Sequence, residues 1–406
     1  MADTGRRTFR RVRRYVFCAV FLFVVAVILT GCQTVSYYKQ AIQGQYQIWA
    51  CRRPIEKLIA DPKTSPALKE KLQLVLKMRE FAEKELKLPV NGHYLCYADL
   101  QRRFVVWNVH AAPELSLKPK TWWYPIVGSL KYRGYFSEKH ARAYGQRLEK
   151  QGFDVYVGGV EAYSTLGWFK DPVLNTFAHH NETDLAEILF HELAHQRVFA
   201  SGDTDFNEAF ATAVAEEAVG RWLRSREDSA AHQKYLEDLR RHDAFVRLVT
   251  NARSELKAVY GEEAADGGNH PPAPRLAADQ RREKHGVLAR LQEDHARLKE
   301  KWGGSSNYDS WFRGPLNNAQ LSTIDTYYHL VPAFHRLLQA SEGNLEKFYD
   351  EVSRLANLRK QERHRRLELL LNDSKETSSL ATNGNAGVPA SRTARPVLDS
   401  ARVNDL

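Results

Sequence analysis

Hydrophobic and polar positions change period twice along this chain. After an arginine-rich start, residues 15–29 are an almost unbroken apolar run. From about 35 to 88 the spacing is helical: in "ALKEKLQLVLKMREFAEKEL" the positions Leu68, Leu72, Val75, Leu76, Arg79 and Ala82 recur near 3.6 residues, and Leu88-Pro89 closes the pattern. The stretches "RFVVWNV", "TWWYPIVGSLKYRGYF" and "FDVYVGGVEAYSTLGWF" then gather aromatic and β-branched residues between Gly and Pro, which predicts an antiparallel sheet. From Thr183 the helical period returns, over about 184–200, 206–224, 228–259, 285–302 and 325–370. The pattern predicts an α+β fold: a small antiparallel sheet ahead of a mainly helical C-terminal half. Residues 261–280, rich in Gly, Pro and Ala, read as a flexible insertion reaching to about 284, and 373–406 as a disordered tail, leaving 32–372 for the folded domain. No internal repeat is evident.

At 406 residues and 43% hydrophobic content the chain can bury a sizeable core. Its net charge of +10 suggests nucleic acid, but six arginines against Asp3 place +5 of it before residue 32. The remainder is thinly spread, with no basic stripe interleaved with aromatics, so no nucleic-acid partner is expected. The arginines belong instead to a targeting segment: a positive start, a short apolar run, then "LTGC" ending at Cys32. This resembles the bacterial lipobox, which implies a signal peptide over 1–31, cleavage before Cys32 and lipid on its sulfur. The competing reading is an uncleaved signal anchor. Gln33 after the cysteine implies the periplasmic face of the outer membrane in a Gram-negative cell, and "RRTF" also matches a twin-arginine signal. Cys18 leaves with the leader, so Cys51 and Cys96 remain. In an oxidising compartment they are expected to form a disulfide, the alternative being two buried free thiols.

The densest chemistry lies in "LFHELAHQR", residues 189–197. A helix starting near Thr183 or Asp184, either able to cap it, carries Ile188, Leu189, Leu193 and Val198 inward and places the motif in its interior. His191 and His195 then share a face one turn apart. Both imidazoles can reach one Zn²⁺ at about 2.0 to 2.1 Å, while Glu192, rotated aside, reaches a water rather than the metal. That arrangement suits hydrolysis, with Glu192 moving the proton. A catalytic zinc normally has a third protein ligand. The metzincin pattern is excluded by Val198 and Ser201. Gly202 permits a turn, Asp203 or Asp205 can cap a second helix, and Glu208 lies one turn in, sharing a face with Ala211, Thr212 and Ala215. Alone, Glu208 is equally a helix-start carboxylate favoured by the dipole; downstream of HExxH it is the best third ligand. Thr212 is expected to hydrogen-bond a ligand histidine or Glu208, and Glu216 and Glu217 to face solvent.

"HELAH" followed by "FNEAFAT" resembles gluzincin metallopeptidases. With "AYSTLGWFKDPVLNTF" and "YYHLVPAF", the chain is similar over most of 32–360 to a family of bacterial aminopeptidases of gluzincin type, typically lipoproteins. The resemblance implies a gluzincin-like fold, zinc ligands His191, His195 and Glu208, and catalytic Glu192. Only 12 residues separate His195 from Glu208, fewer than in better-known gluzincins, so the connection must be tight. It further implies a tyrosine for the oxyanion, matched by Tyr327 with Tyr328 as the alternative, and a substrate-pairing strand, matched by "GGVEAYSTLGWF" with Glu161 and Tyr163 as substrate contacts, Glu161 for an α-ammonium. The adjacent His179 and His180 read as loop residues. The expectation is zinc-dependent peptide hydrolysis by a lipid-anchored envelope aminopeptidase. The alternatives are an envelope endopeptidase or processing protease, and a non-catalytic lipoprotein scaffold with structural zinc.

Overall fold

The computed structural model describes residues 35–124, 128–162, 169–262 and 276–381, with backbone alone at 325–327 and 372–381. The leader with Cys32, Tyr163, the Tyr327 side chain, the middle of the expected insertion and residues 382–406 lie outside the described residues. The fold is α+β, with small sheets and a mainly helical C-terminal half.

The long helical region at the start divides in two. Helix α1 (residues 35–50) and helix α3 (Pro66–Lys84) are separated by a short strand β1 (Arg52–Pro54) and a short helix α2 (Ile55–Ala60). The break is chemical: Ser65 caps α3 by accepting from the Leu68 N–H, and Pro66 stands in its first turn, where a missing N–H costs nothing.

The expected sheet is three separate ones. β3 (Val106–Pro113) runs between β6 (Arg133–Tyr135) and β7 (Phe153–Val160), antiparallel to both, with Trp107 opposite Tyr135 and Gly159. β4 (Trp122–Tyr124) and β5 (Gly128–Leu130) form a hairpin. β2 (Cys96–Ala98) pairs antiparallel with β1 and parallel with β8 (Val173–Leu174), the one departure from antiparallel pairing among these strands. Alternation along β3 sorts its side chains. Val109 and Ala111 pack toward helix α4 (Glu138–Glu149) in a small core with Tyr135, Ala141 and Leu148, while Val106 and Asn108 face a cavity.

Helix α5 (Asn175–Ala178) leads into α6 (Glu182–Arg197) and α7 (Thr204–Ser225), which pack closely. α6 is capped by Asn181, whose side chain accepts from the Asp184 N–H, two or three residues before the expected cap. Both helices are buried nearly all round, which is why neither shows a clean amphipathic stripe. Ala209, Ala211, Ala213 and Ala215 let neighbours approach α7, and Phe206 and Phe210 join Phe334, Phe348 and Tyr349 in an aromatic core.

Helices α8 (Ser229–Tyr260) and α9 (Ala277–Lys301) follow. α9 begins at Ala277, inside the stretch read as flexible, because Lys284 is buried against Asp154 of β7 and fixes that end. The expected helix over 325–370 is four: α10 (Asn318–Tyr328), α11 (Val331–Ala340), α12 (Leu345–Ala356) and α13 (Lys360–Ala381). Pro332 opens α11, and Glu342 and Gly343, both at positive φ, turn the chain into α12, which Asn344 caps. α13 runs to Ala381, past the expected start of the tail.

Cys51 and Cys96 do not form the expected bridge; both thiols are free. Cys96 pairs with Pro54, so Cys51 stands three positions away in the register. At about 3.3 Å per residue the offset is roughly 10 Å, beyond the Cα separation a disulfide spans.

Candidate metal centre

α6 delivers His191, Glu192 and His195 from its interior, and α7 delivers Glu208 from its second turn. The imidazole rings lie 4.9 Å apart at 85°. A Glu208 carboxylate oxygen is 3.4 Å from His191 Nε2 and 3.6 Å from His195 Nε2. Ligands at about 2.0 to 2.2 Å around a tetrahedral ion are separated by about 3.3 to 3.6 Å. The three side chains therefore stand at the edges of such a site, and the group can hold a metal ion.

The tight connection is secured by Asn207. Its Oδ1 accepts from the Ala200 N–H at 2.7 Å and its Nδ2 donates to the Ala200 carbonyl at 2.9 Å, so the residue next to Glu208 ties down the loop between the helices. Gly202 turns that loop at φ +75°. The hairpin approaches it so closely that a Cβ on Gly128 would sit 2.9 Å from the Gly202 Cα. Lys131 adds a salt bridge to Asp205 at 2.6 Å. Asp203 stands at the α7 N-cap without capping it. Its carboxylate is buried and turned to Arg363, His364 and Lys360 instead. Burial alone would raise this carboxyl, but His364, Lys360 and Arg363 hold it well below the usual carboxylate range.

Glu192 differs from Glu208 in its surroundings. It is 9% exposed, and its Oε2 is buried with no hydrogen-bond partner among the described residues. Burial pushes its carboxyl up to about 8; charge on Glu208 and Asp171 adds to the rise and His195 opposes it. Burial also works to raise Glu208, yet charge and hydrogen bonds from His195 and His191 hold it at about 2. One carboxylate is thus held ionised toward two imidazoles, while its neighbour is poised to exchange a proton near neutral pH.

These groups line one end of a cavity of about 350 Å³. Val106, Asn108, Gly134 and Val160 of the central sheet form one wall, and Tyr37 and Ala41 of α1 close another. Tyr124, Leu130, Tyr132, Phe136 and Phe199 make the rest largely aromatic and apolar.

Other expected residues fall elsewhere. Val160 and Ala162 of the expected cleft-wall segment do line the cavity, but Glu161 between them points away: it is buried, and its carboxylate meets His180 Nε2 at 2.6 Å. His179 and His180 do lie in the loop between α5 and α6, but their side chains do not diverge. Their rings lie 4.4 Å apart, and with Glu161 they form a second His–His–Glu group. The 2.6 Å contact is a hydrogen bond, shorter than a tetrahedral edge. Tyr328 is buried against His242. Thr212 does not make its expected hydrogen bond: its hydroxyl is buried and has no partner among the described residues. Helical side chains lean toward the N-terminus, so the Glu208 carboxylate tilts away from position 212. Glu216 is not solvated either; it is buried and meets His335 at 2.5 Å.

Asn207 and the aromatic lining were missed. The adjacency of Asn207 to Glu208 could have flagged the first. Nothing local could have flagged Tyr37, which arrives from the distant helix α1; Phe199 lies only four residues past His195, but no motif marks it.

The fold and this centre define an α+β protein with a metal-competent His–His–Glu group on two buried helices beside a second glutamate. The chain belongs to the family described as "Putative aminopeptidase", which matches residues 36–367 and thus spans all four residues of the centre. That description makes it a hydrolase with peptide as substrate. No curated protein and no solved structure matches the chain.

Proposed function

We propose that the protein is a zinc-dependent peptidase of the bacterial cell envelope, attached to the membrane through lipid on Cys32. The observation that carries the catalytic part is the Glu208–His191–His195 triangle, at 3.4 and 3.6 Å, beside Glu192 with its unpartnered carboxylate oxygen. The donor set, two imidazoles and a carboxylate, suits zinc in a catalytic site with one position left for substrate or water. When bound, zinc supplies Lewis-acid polarisation of the scissile carbonyl and makes water more acidic. Glu192 takes the proton from the attacking water and returns it to the departing amine. His191, His195 and Glu208 hold their geometry because α6 and α7 are buried and Asn207 locks their connection. The aromatic walls exclude water and accept a bulky apolar residue beside the scissile bond.

An aminopeptidase must also hold the substrate's α-ammonium. The carboxylates among the described lining residues are Glu192, Asp203 and Glu208, and Asp203 is already engaged by Arg363 and His364. Glu161 is turned to His180, which favours endopeptidase activity as a second reading. A peptide library with free or acetylated amino termini separates the two. Loss of cleavage on acetylation supports an aminopeptidase, internal cleavage of acetylated peptides supports an endopeptidase, and no cleavage of either by zinc-loaded protein sinks the proposal. For the anchor, Cys32→Ser should release the protein from membranes or leave the precursor uncleaved; normal processing and fractionation of that variant count against lipidation.

A further inference from the structure

Helix α1 has two apolar faces, and the fold uses one. Gln40, Gly44 and Ile48 are buried against the body of the protein, with Tyr37 and Ala41 facing the cavity. Gln40 accepts from the Phe136 N–H at 2.8 Å, and the Phe136 ring packs so closely on Gly44 that a Cβ there would lie 2.0 Å from it. The other face carries Val35, Tyr38, Ile42, Tyr46 and Trp49, each between 42% and 68% exposed. At about 100° per residue these five occupy an arc of roughly 80°, nearly opposite the docked face. Half of the large apolar side chains exposed among the described residues therefore sit on this one stripe, which scattered surface residues would not produce.

We propose that this stripe rests in the headgroup region of the bilayer, so that α1 lies on the membrane by one face and walls the cleft with the other. The chain itself supplies the first argument. Residue 35 is three residues from Cys32, a reach of about 10 Å at most. Lipid on Cys32 and a retained apolar run at 15–29 both put that point at the bilayer surface. The second argument is chemical: two tyrosines and a tryptophan among aliphatic residues are the side chains that settle where one end is apolar and the other wet. The third is charge. Lys39 flanks the stripe, and Lys57 is exposed just beyond its end, both placed to meet anionic headgroups. A flexible tether alone would leave the orientation free, whereas the stripe fixes it. Because Tyr37 and Ala41 are on the same helix, the cleft wall would then stand one helix diameter, about 10 Å, from the membrane. Peptide segments lying at the membrane surface would be the substrates it meets.

The inference rests on the membrane attachment proposed above and not on the peptidase reading. The test uses full-length protein made in a Gram-negative host, purified in detergent and reconstituted into phosphatidylethanolamine and phosphatidylglycerol vesicles with or without brominated acyl chains. Brominated lipid should quench tryptophan emission. Trp49→Phe should remove the larger part of that quenching, and Trp302→Phe, just past the end of α9, should leave it unchanged. The triple variant Tyr38→Ser, Ile42→Ser, Tyr46→Ser should still float with vesicles and cleave soluble peptides, but lose at least about half of the Trp49 quenching. Floating protein whose Trp49 is not quenched overturns the inference, as does a Trp49 shielded only within a dimer that the triple variant abolishes. Protein that does not float removes attachment and inference together, while its cleavage of soluble peptide still judges the peptidase reading separately. If the triple variant fails to fold, the comparison of Trp49→Phe with Trp302→Phe decides alone.

Discussion

Asn207→Ala probes the least obvious part of the site, because both polar atoms of the side chain are spent on the backbone of Ala200 rather than on the three metal-competent side chains. Asn207 is 3% exposed, and both its hydrogen bonds, 2.7 and 2.9 Å, go to the backbone of Ala200, itself buried. Truncation removes two bonds worth about 1 to 1.5 kcal/mol each net and leaves a buried N–H and C=O unpaired unless water enters, for a total of about 2 to 4 kcal/mol. In a chain of this size about 1 kcal/mol moves Tm by roughly 2 °C, so the metal-free protein should melt about 4 to 8 °C lower. The larger effect should be on the metal. Glu208 is the next residue, and its carboxylate is placed against His191 and His195 only while the loop from 198 to 203 is held. Loss of a supporting group of this kind typically costs about 10- to 100-fold in metal affinity. Differential scanning calorimetry of the metal-free protein, with zinc titration against a competing chelator, measures both. A variant with the parent's Tm and zinc affinity would refute the idea that Asn207 sets the Glu208 geometry.

The free thiols predict that Cys51 and Cys96 both alkylate in unreduced protein once it is denatured; modification that requires prior reduction would contradict the register of β1 and β2. The buried His335–Glu216 pair predicts a pH-dependent stability. Burial works to lower His335, but the Glu216 charge and hydrogen bond outweigh it and raise it above 6.5. Its contribution is therefore full below about pH 6.5 and fades as pH climbs through the raised value. Tm measured from about pH 6 to 9 should fall for the parent and stay flatter for His335→Gln, and parallel curves would exclude this pair as the source.

Much of the centre was legible because its chemistry is local. HExxH places two imidazoles one turn apart on any α-helix, and Glu208 follows after the one glycine that can turn the chain. The errors have a common cause, since burial is a tertiary property. Glu216 and Glu217 look alike in sequence, yet only Glu216 meets His335 across the packed helices. Glu161 alternates correctly within its segment but lands on the side away from the cavity, where His180 waits. The free cysteines turn on a three-residue offset that no spacing between 51 and 96 reveals. The cleft walls were the least legible part: α1, the hairpin and the central sheet contribute Tyr37, Tyr124 and Phe136 from separate regions, brought together only by the fold.

The central claim is that three residues hold the metal and a fourth moves the proton. Zinc stoichiometry and peptide turnover, measured together on purified Glu192→Gln and Glu208→Ala, test it most directly. Glu192→Gln should keep about one zinc and the parent's fold while turnover falls about 10² to 10⁴-fold, the usual contribution of a placed general base. Glu208→Ala should lose zinc and activity together. Full zinc retention in the Glu208 variant, or undiminished turnover in the Glu192 variant, would contradict the account.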